Sequence, residues 1–106
     1  MKYRNYSRML PRPRDLTLDP SRQTCFLRGE LIPLTGTEYA ILQALLANRG
    51  RVVPAEELSI AVWQDEVYVG RSDCLAVHVR NIRAKLHDEK PFTTVRTAWG
   101  RGYWVE

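Results

Sequence analysis

The chain has 106 residues, 26% charged and 44% hydrophobic, with two cysteines and a formal net charge of +4. That length suits one domain with one core, able to fold without disulfide or metal staples. No apolar run approaches the ~20 residues a membrane helix needs, and the first residues lead into no apolar stretch of the kind a secretory signal requires.

Residues 1–14 carry Lys2, Arg4, Arg8, Arg12 and Arg14 with no acid, the stretch 15–70 carries more acids than bases, and 71–105 is basic again. Basic ends around an acidic middle favour a polyanionic partner met by particular elements. The first 14 residues, with Pro11 and Pro13, show no period and read as a basic linker or arm, which leaves 15–106 as the domain.

From Leu16 to Leu34 short apolar stretches alternate with turn residues, and three antiparallel strands fit. Arg28-Gly29-Glu30 suits a tight hairpin turn, and because Pro33 cannot donate to a ladder the third strand should be an edge or should end there. Thr35 and Glu38 have the spacing of a capping box. Tyr39, Leu42, Leu45 and Leu46 then repeat at helical spacing, with Gly50 as the stop. Arg51-Val52-Val53 is a brief extended link. Pro54 suits the first turn of a second helix, whose inner face is Leu58, Ala61 and Val62 and whose end is near Trp63. After the loop Gln64 to Gly70, a third helix runs from about Ser72 to His87, and Thr93 to Glu106 reads as a β-hairpin with a Gly-rich tip. The class is α+β, in the order strands, three helices, hairpin.

At about 100° per residue, Leu75, Val79, Ile82 and Leu86 of the third helix share one stripe, which is core. The opposite face presents Asp73, Val77, Arg80, Asn81 and Ala84, flanked by Cys74, His78, Lys85 and Arg83. Small residues allow close approach to a major groove, Arg grips guanine or phosphate, Asn pairs with adenine, and Val77 suits a thymine methyl. Arg101 between Gly100 and Gly102 makes a basic tip suited to a narrow minor groove. The bland readings are a solvated helix face and a solvated turn. Tyr39 and Tyr103 read as core, Trp104 as half-exposed, and Trp63 as either a packing residue or a phosphate contact.

From Leu34 to Val105 the chain resembles the effector domain of OmpR/PhoB-type response regulators. The resemblance rests on Leu34-Thr35-x-Thr37-Glu38-Tyr39-x-x-Leu42, Gly50-Arg51-Val52-Val53, Glu57-Leu58-x-x-x-Val62-Trp63, Val77-His78-Val79-x-x-Ile82-Arg83-x-Lys85-Leu86 and Thr97-x-Trp99-Gly100-x-Gly102-Tyr103. It implies a winged helix-turn-helix with an N-terminal antiparallel sheet and a C-terminal hairpin wing. It further implies a cytoplasmic regulator of a two-component system, with helix 72–87 in the major groove of double-stranded DNA and wing 98–102 in the minor groove. Val77, Arg80 and Asn81 would face bases or phosphates, Trp63, His78 and Arg83 the DNA backbone, and Trp99 and Arg101 the wing contacts. Tandem occupation of direct-repeat half-sites is implied too, as is an RNA polymerase contact through loop residues Asp65, Glu66 and Tyr68. A solvated connector is the other reading of that loop. The family often has Arg, Thr and Asp where this chain has Asp73, Cys74 and Ala76, and Arg where it has Asn81, so a distinct operator is expected. No acidic phosphorylation pocket fits in residues 1–33, which leaves open an excised effector domain and a stand-alone regulator; the basic start resembles an interdomain linker.

The other classes have less support. Cys25 and Cys74 lack CxxC or paired-ligand spacing and read as free thiols. Cys74 and His78 lie at i and i+4, but with His87 no fourth metal ligand is evident. Glu56 and Glu57 project from different sides of their helix and make no acid–base pair, and Gly100-Arg101-Gly102 lacks the following helix of a nucleotide loop. The expectation is no enzyme, no metal, no cofactor and no membrane partner. A protein-interaction module without DNA binding is the second hypothesis, and RNA binding a third.

Overall fold

The computed structural model describes residues 16–63 and 72–106, the side chains of residues 72 and 73 excepted. The basic arm 1–14 and the loop Gln64 to Gly70, with Asp65, Glu66 and Tyr68, lie outside the described residues, as does the side chain of Asp73. The elements are β1 (Leu16–Asp19), β2 (Thr24–Leu27), β3 (Glu30–Ile32), α1 (Gly36–Ala47), β4 (Val53–Pro54), α2 (Ala55–Trp63), α3 (Ser72–Lys85), β5 (Arg96–Ala98) and β6 (Gly102–Trp104).

β1, β2 and β3 form one antiparallel sheet in sequence order. The β2–β3 turn has just two residues, and both Arg28 (φ 53°) and Gly29 (φ 83°) have positive φ. Two positive φ values in a row give the turn whose twist matches a tight hairpin. The register pairs Leu16 with Leu27, and Cys25 with both Leu18 and Ile32. Leu16, Cys25, Leu27 and Ile32 are accordingly buried on one face, while Leu31 points out and is 55% exposed. β3 ends before Pro33, as expected.

The capping box at α1 forms: Glu38 N–H donates to Thr35 Oγ1 at 3.1 Å, and Thr35 N–H donates to Glu38 Oε1 at 3.0 Å. The same Oε1 accepts from Lys85 Nζ of α3 at 2.6 Å, and Glu38 is buried. One carboxylate therefore caps α1 and ties it to α3. Tyr39, Ile41, Leu42 and Leu45 are buried, with Leu46 packed at the margin. The buried face is broader than the four-residue stripe because α1 packs against both α2 and α3.

Two expectations about α2 need correction. Pro54 does not open the helix; it pairs with Gly102 in β4, and α2 starts one residue later. β4 is an edge strand of the sheet β4-β6-β5, where a residue without an N–H is tolerated. The hairpin is thus one part of a three-stranded wing. On α2, Ala61 is exposed and Ser59 is buried instead, because the inner face runs through Ala55, Leu58, Ser59 and Val62.

Leu75, Val79, Ile82 and Leu86 are fully or almost fully buried, as their spacing predicts. The helix stops at Lys85, two residues before His87. His87 adopts φ 57° and donates to Ala84 O at 3.2 Å, while Asp88 N–H donates to Arg83 O at 2.8 Å. This is a Schellman ending with histidine where glycine is usual.

Burial raises the Glu38 carboxyl, but hydrogen bonds from Lys85 and the Thr35 N–H more than offset that and hold it below the usual carboxylate range. A carboxyl lowered on folding contributes stability above its unfolded pKa and loses it as pH falls towards the folded value. Glu38→Gln is expected to cost roughly 1–3 kcal/mol at neutral pH. Denaturant melts should show the gap to wild type narrowing below about pH 4; an equal gap at both pH values would exclude the ion pair as its source.

Candidate nucleic-acid interface

Opposite its core stripe, α3 presents a partly exposed side among the described residues. Ala76, Val77, Arg80 and Ala84 are exposed, Val77 to 44%, and Asn81 and His78 are half-buried beside them. Val77 is a β-branched apolar side chain kept in water, with exposed Ala76 and Arg80 near it on the helix. Trp63 lies 5.8 Å from the His78 ring at 52° and also packs against the core. Its packing role is therefore realised, and its indole joins the end of α2 to the outer side of α3.

In the wing, Arg101 N–H donates to Ala98 O at 2.9 Å and closes the tip, with Gly100 at φ 73°. Trp99 is 90% exposed and Arg101 is exposed beside it. The two tip glycines do different jobs. Gly100 supplies the turn conformation, and a Cβ there meets nothing within 4 Å. At Gly102 (φ 152°) a Cβ would overlap the Val53 carbonyl, so the surface that Gly102 lets approach is the protein's own β4. A cleft of about 510 Å³ separates the wing from the helices, bordered by Ala55 and Ala76 on one side and Trp99, Arg101 and Tyr103 on the other. Tyr103, expected in the core, is half-buried at the core's margin and lines this cleft. Trp104 is half-buried, as expected.

Arg83 stands apart from the outward group. Its Nε donates to Val95 O at 2.9 Å and its Nη2 to Thr97 Oγ1 at 2.7 Å, with the guanidinium 3.7 Å over the Phe92 ring. Burial pushes its pKa down, opposed by Asp88 and Tyr103; an arginine stays protonated throughout. Arg96 pairs with Glu106 at 2.9 Å and lies over Trp104. Lys85 is held by Glu38. Burial raises the Cys25 thiol, which suits an inert core residue.

Sequence reasoning missed Asp88. It is buried, and its carboxylate accepts from the N–H groups of Thr93 (2.9 Å), Thr94 (3.2 Å) and Val95 (2.8 Å). An acid just past a predicted helix end was the available signal, and it has no periodicity to mark it.

A helical core with an exposed third helix, flanked by a three-stranded wing, defines a winged helix-turn-helix domain. Residues 29–105 match the family described as "Transcriptional regulatory protein, C terminal". The chain is 34% identical over 93 residues to the regulatory protein VanR of Enterococcus faecium, covering 86% of this chain and 40% of that one. It is 35% identical over 92 residues to the transcriptional regulatory protein PcoR of Escherichia coli, covering 87% and 40%. Among solved structures, the DNA binding domain of CpxR from E. coli is 35% identical, with a TM-score of 0.73 over 86% of this chain and 89% of that one. The RstA DNA-binding domain of Klebsiella pneumoniae, solved in complex with RstA box, has a TM-score of 0.77 over 86% and 90%, but at 24% identity that likeness is one of fold. The chain belongs to the family of C-terminal effector domains of transcriptional regulatory proteins, of the OmpR/PhoB type. That family comprises DNA-binding effector domains and not enzymes. The chain spans about 40% of the length of the curated relatives it matches. Among the described residues no helix is long and apolar enough to cross a membrane.

Substitution separates the two glycines. Gly100→Ala should cost about 1 kcal/mol, from its positive φ alone. Gly102→Ala must displace β4 backbone and should cost about 3 kcal/mol or more. Thermal melts of the two variants check this, and equal losses would contradict the close β4–β6 approach.

Proposed function

We propose that this domain binds double-stranded DNA sequence-specifically to regulate transcription, with α3 in the major groove and the wing tip in the adjacent minor groove. The observation that carries the proposal is that α3 exposes Val77, Arg80 and Ala84, while Ala76 of the same helix borders one cleft with exposed Trp99 and Arg101 of the wing. Small residues let α3 approach base edges, Val77 offers a methyl surface for thymine, and Asn81 has the donor–acceptor pair that matches adenine. Arg80 is free to reach guanine or phosphate. Trp63 and His78 at the flank, with Trp99 in the wing, suit sugar–phosphate contacts, which fix register without reading sequence.

Relatives named as response regulators, PmrA of Pseudomonas aeruginosa among them at 34% identity, support placing the domain as the effector part of a two-component regulator acting in the cytoplasm. Tandem occupation of direct-repeat half-sites belongs to the same proposal. So does a contact with RNA polymerase through Asp65, Glu66 and Tyr68, where two acids suit a basic partner surface.

Electrophoretic shift assays at two salt concentrations test the proposal. Affinity should fall steeply with salt, because phosphate contacts release counterions; binding insensitive to salt would exclude a nucleic-acid partner. Val77→Ala or Asn81→Ala should weaken the preferred site by about 1–3 kcal/mol while leaving random DNA nearly unchanged. Equal losses on both would remove those residues as readers.

The wing has its own signature. A guanidinium is favoured in the narrow, negative minor groove of A·T-rich DNA. Arg101→Ala should therefore cost most on duplexes whose flank is A·T-rich, and Lys should restore only part of the loss because its ammonium sheds water less readily. Paired duplexes differing only in that flank provide the measurement. A flank-independent loss would make Arg101 a general phosphate contact.

A further inference from the structure

Arg83 and Asp88 grip the same piece of chain from the end of α3. Asp88 Oδ2 accepts from Val95 N–H at 2.8 Å, and Arg83 Nε donates to Val95 O at 2.9 Å, so both peptide groups of Val95 are held by these two side chains. Val95 itself is fully buried. Asp88 holds the residues leading into β5, while Arg83 reaches further along to Thr97 within β5. The planar guanidinium engages two acceptors along its edge while its face rests on Phe92. The helix end is itself fixed, since Asp88 N–H closes the Schellman turn on Arg83 O.

We infer that Arg83 is a positioning residue that sets the wing relative to α3, in place of the phosphate contact that the resemblance implies. The inference rests on the DNA-binding reading above and specifies how that surface is held. The Nε–Nη2 edge, one of the two edges by which a guanidinium clamps a phosphate, is already engaged, at 2.9 and 2.7 Å, by Val95 O and Thr97 Oγ1. Freeing it for DNA would release β5, and Arg101 at the far end of the hairpin would lose its fixed distance from Val77 and Arg80. Charge alone does not fill this role. An ammonium lacks the planar fork that meets Val95 O and Thr97 Oγ1 together.

Arg83→Lys is the discriminating variant, because it keeps the charge and loses the fork. With the full chain and duplexes carrying the preferred site beside an A·T-rich or a G·C-rich flank, we expect Arg83→Lys to abolish most of the flank preference. In its background Arg101→Ala should cost less than about twofold, against on the order of tenfold in wild type. The salt slope should fall no further than it does for Arg101→Ala alone. Retained affinity and flank preference in Arg83→Lys, or losses that multiply in the double variant, would overturn the inference and restore a direct phosphate contact. Amide hydrogen exchange of residues 96–104 in the free protein reads the clasp without DNA, and should quicken by on the order of tenfold in Arg83→Lys. Unchanged exchange would overturn the inference. Faster exchange in a protein whose wild type binds no duplex would uphold the clasp and overturn the DNA reading instead. Should Arg83→Lys fail to fold, Phe92→Leu removes the ring beneath the guanidinium and no group assigned to DNA. It should shift flank preference and exchange in the same direction, and no shift in either would overturn the inference.

Discussion

The junction between α3 and the wing is where the fold and the proposed function meet. A reading helix and a hairpin can address two neighbouring grooves only if the distance between them is fixed before DNA arrives. In this chain the helix C-terminus does that with hydrogen bonds to backbone and to one hydroxyl: Asp88 accepts the N–H groups of 93–95, and Arg83 takes Val95 O and Thr97 Oγ1. Buried backbone groups must be paired, and pairing them with charged side chains gives shorter, stronger bonds than neutral partners provide. The β4–β6 pairing fixes the wing from the other side, and it is possible only because Gly102 has no Cβ. Glu38 adds a third tie, between α1 and the last turn of α3 through Lys85.

The residues proposed to meet DNA share none of these structural duties. Val77, Arg80, Trp99 and Arg101 are exposed, and Val77 and Trp99 keep apolar surface in water that the core does not use. Holding and reading are thus divided between two sets of side chains on the same helix. Arg83 and Lys85 in its last turn hold, and Val77, Arg80 and Asn81 are the residues proposed to read. Such a division lets the proposed reading residues vary without loss of fold.

Much of the fold was legible because it follows from local rules. The Thr35–Glu38 spacing encodes a cap, Arg28-Gly29-Glu30 a tight hairpin turn, and the stripe Leu75, Val79, Ile82, Leu86 a buried face; each needs only neighbours within a few residues. Most of the unread features are those in which a residue's partner is distant. Glu38 and Lys85 are 47 positions apart, so the cap gave no sign of the ion pair. Gly102 was legible as part of a Gly-rich tip, but nothing local says that it lies against Val53. Pro54 carries a helix-start signal, and the tertiary pairing with Gly102 overrides it. Arg83 lies on the flank of the outward face by its angle on the helix, and its length lets it turn from that flank onto the wing, which a helical wheel does not register.

Enrichment of duplexes from a random-sequence pool by the intact chain tests the central claim most directly, because it presumes no operator. The account predicts convergence on one short motif whose positions depend on Val77 and Asn81, bordered by an A·T-rich flank on the wing side. A pool that remains random after repeated rounds, or one enriched for single strands, would contradict it.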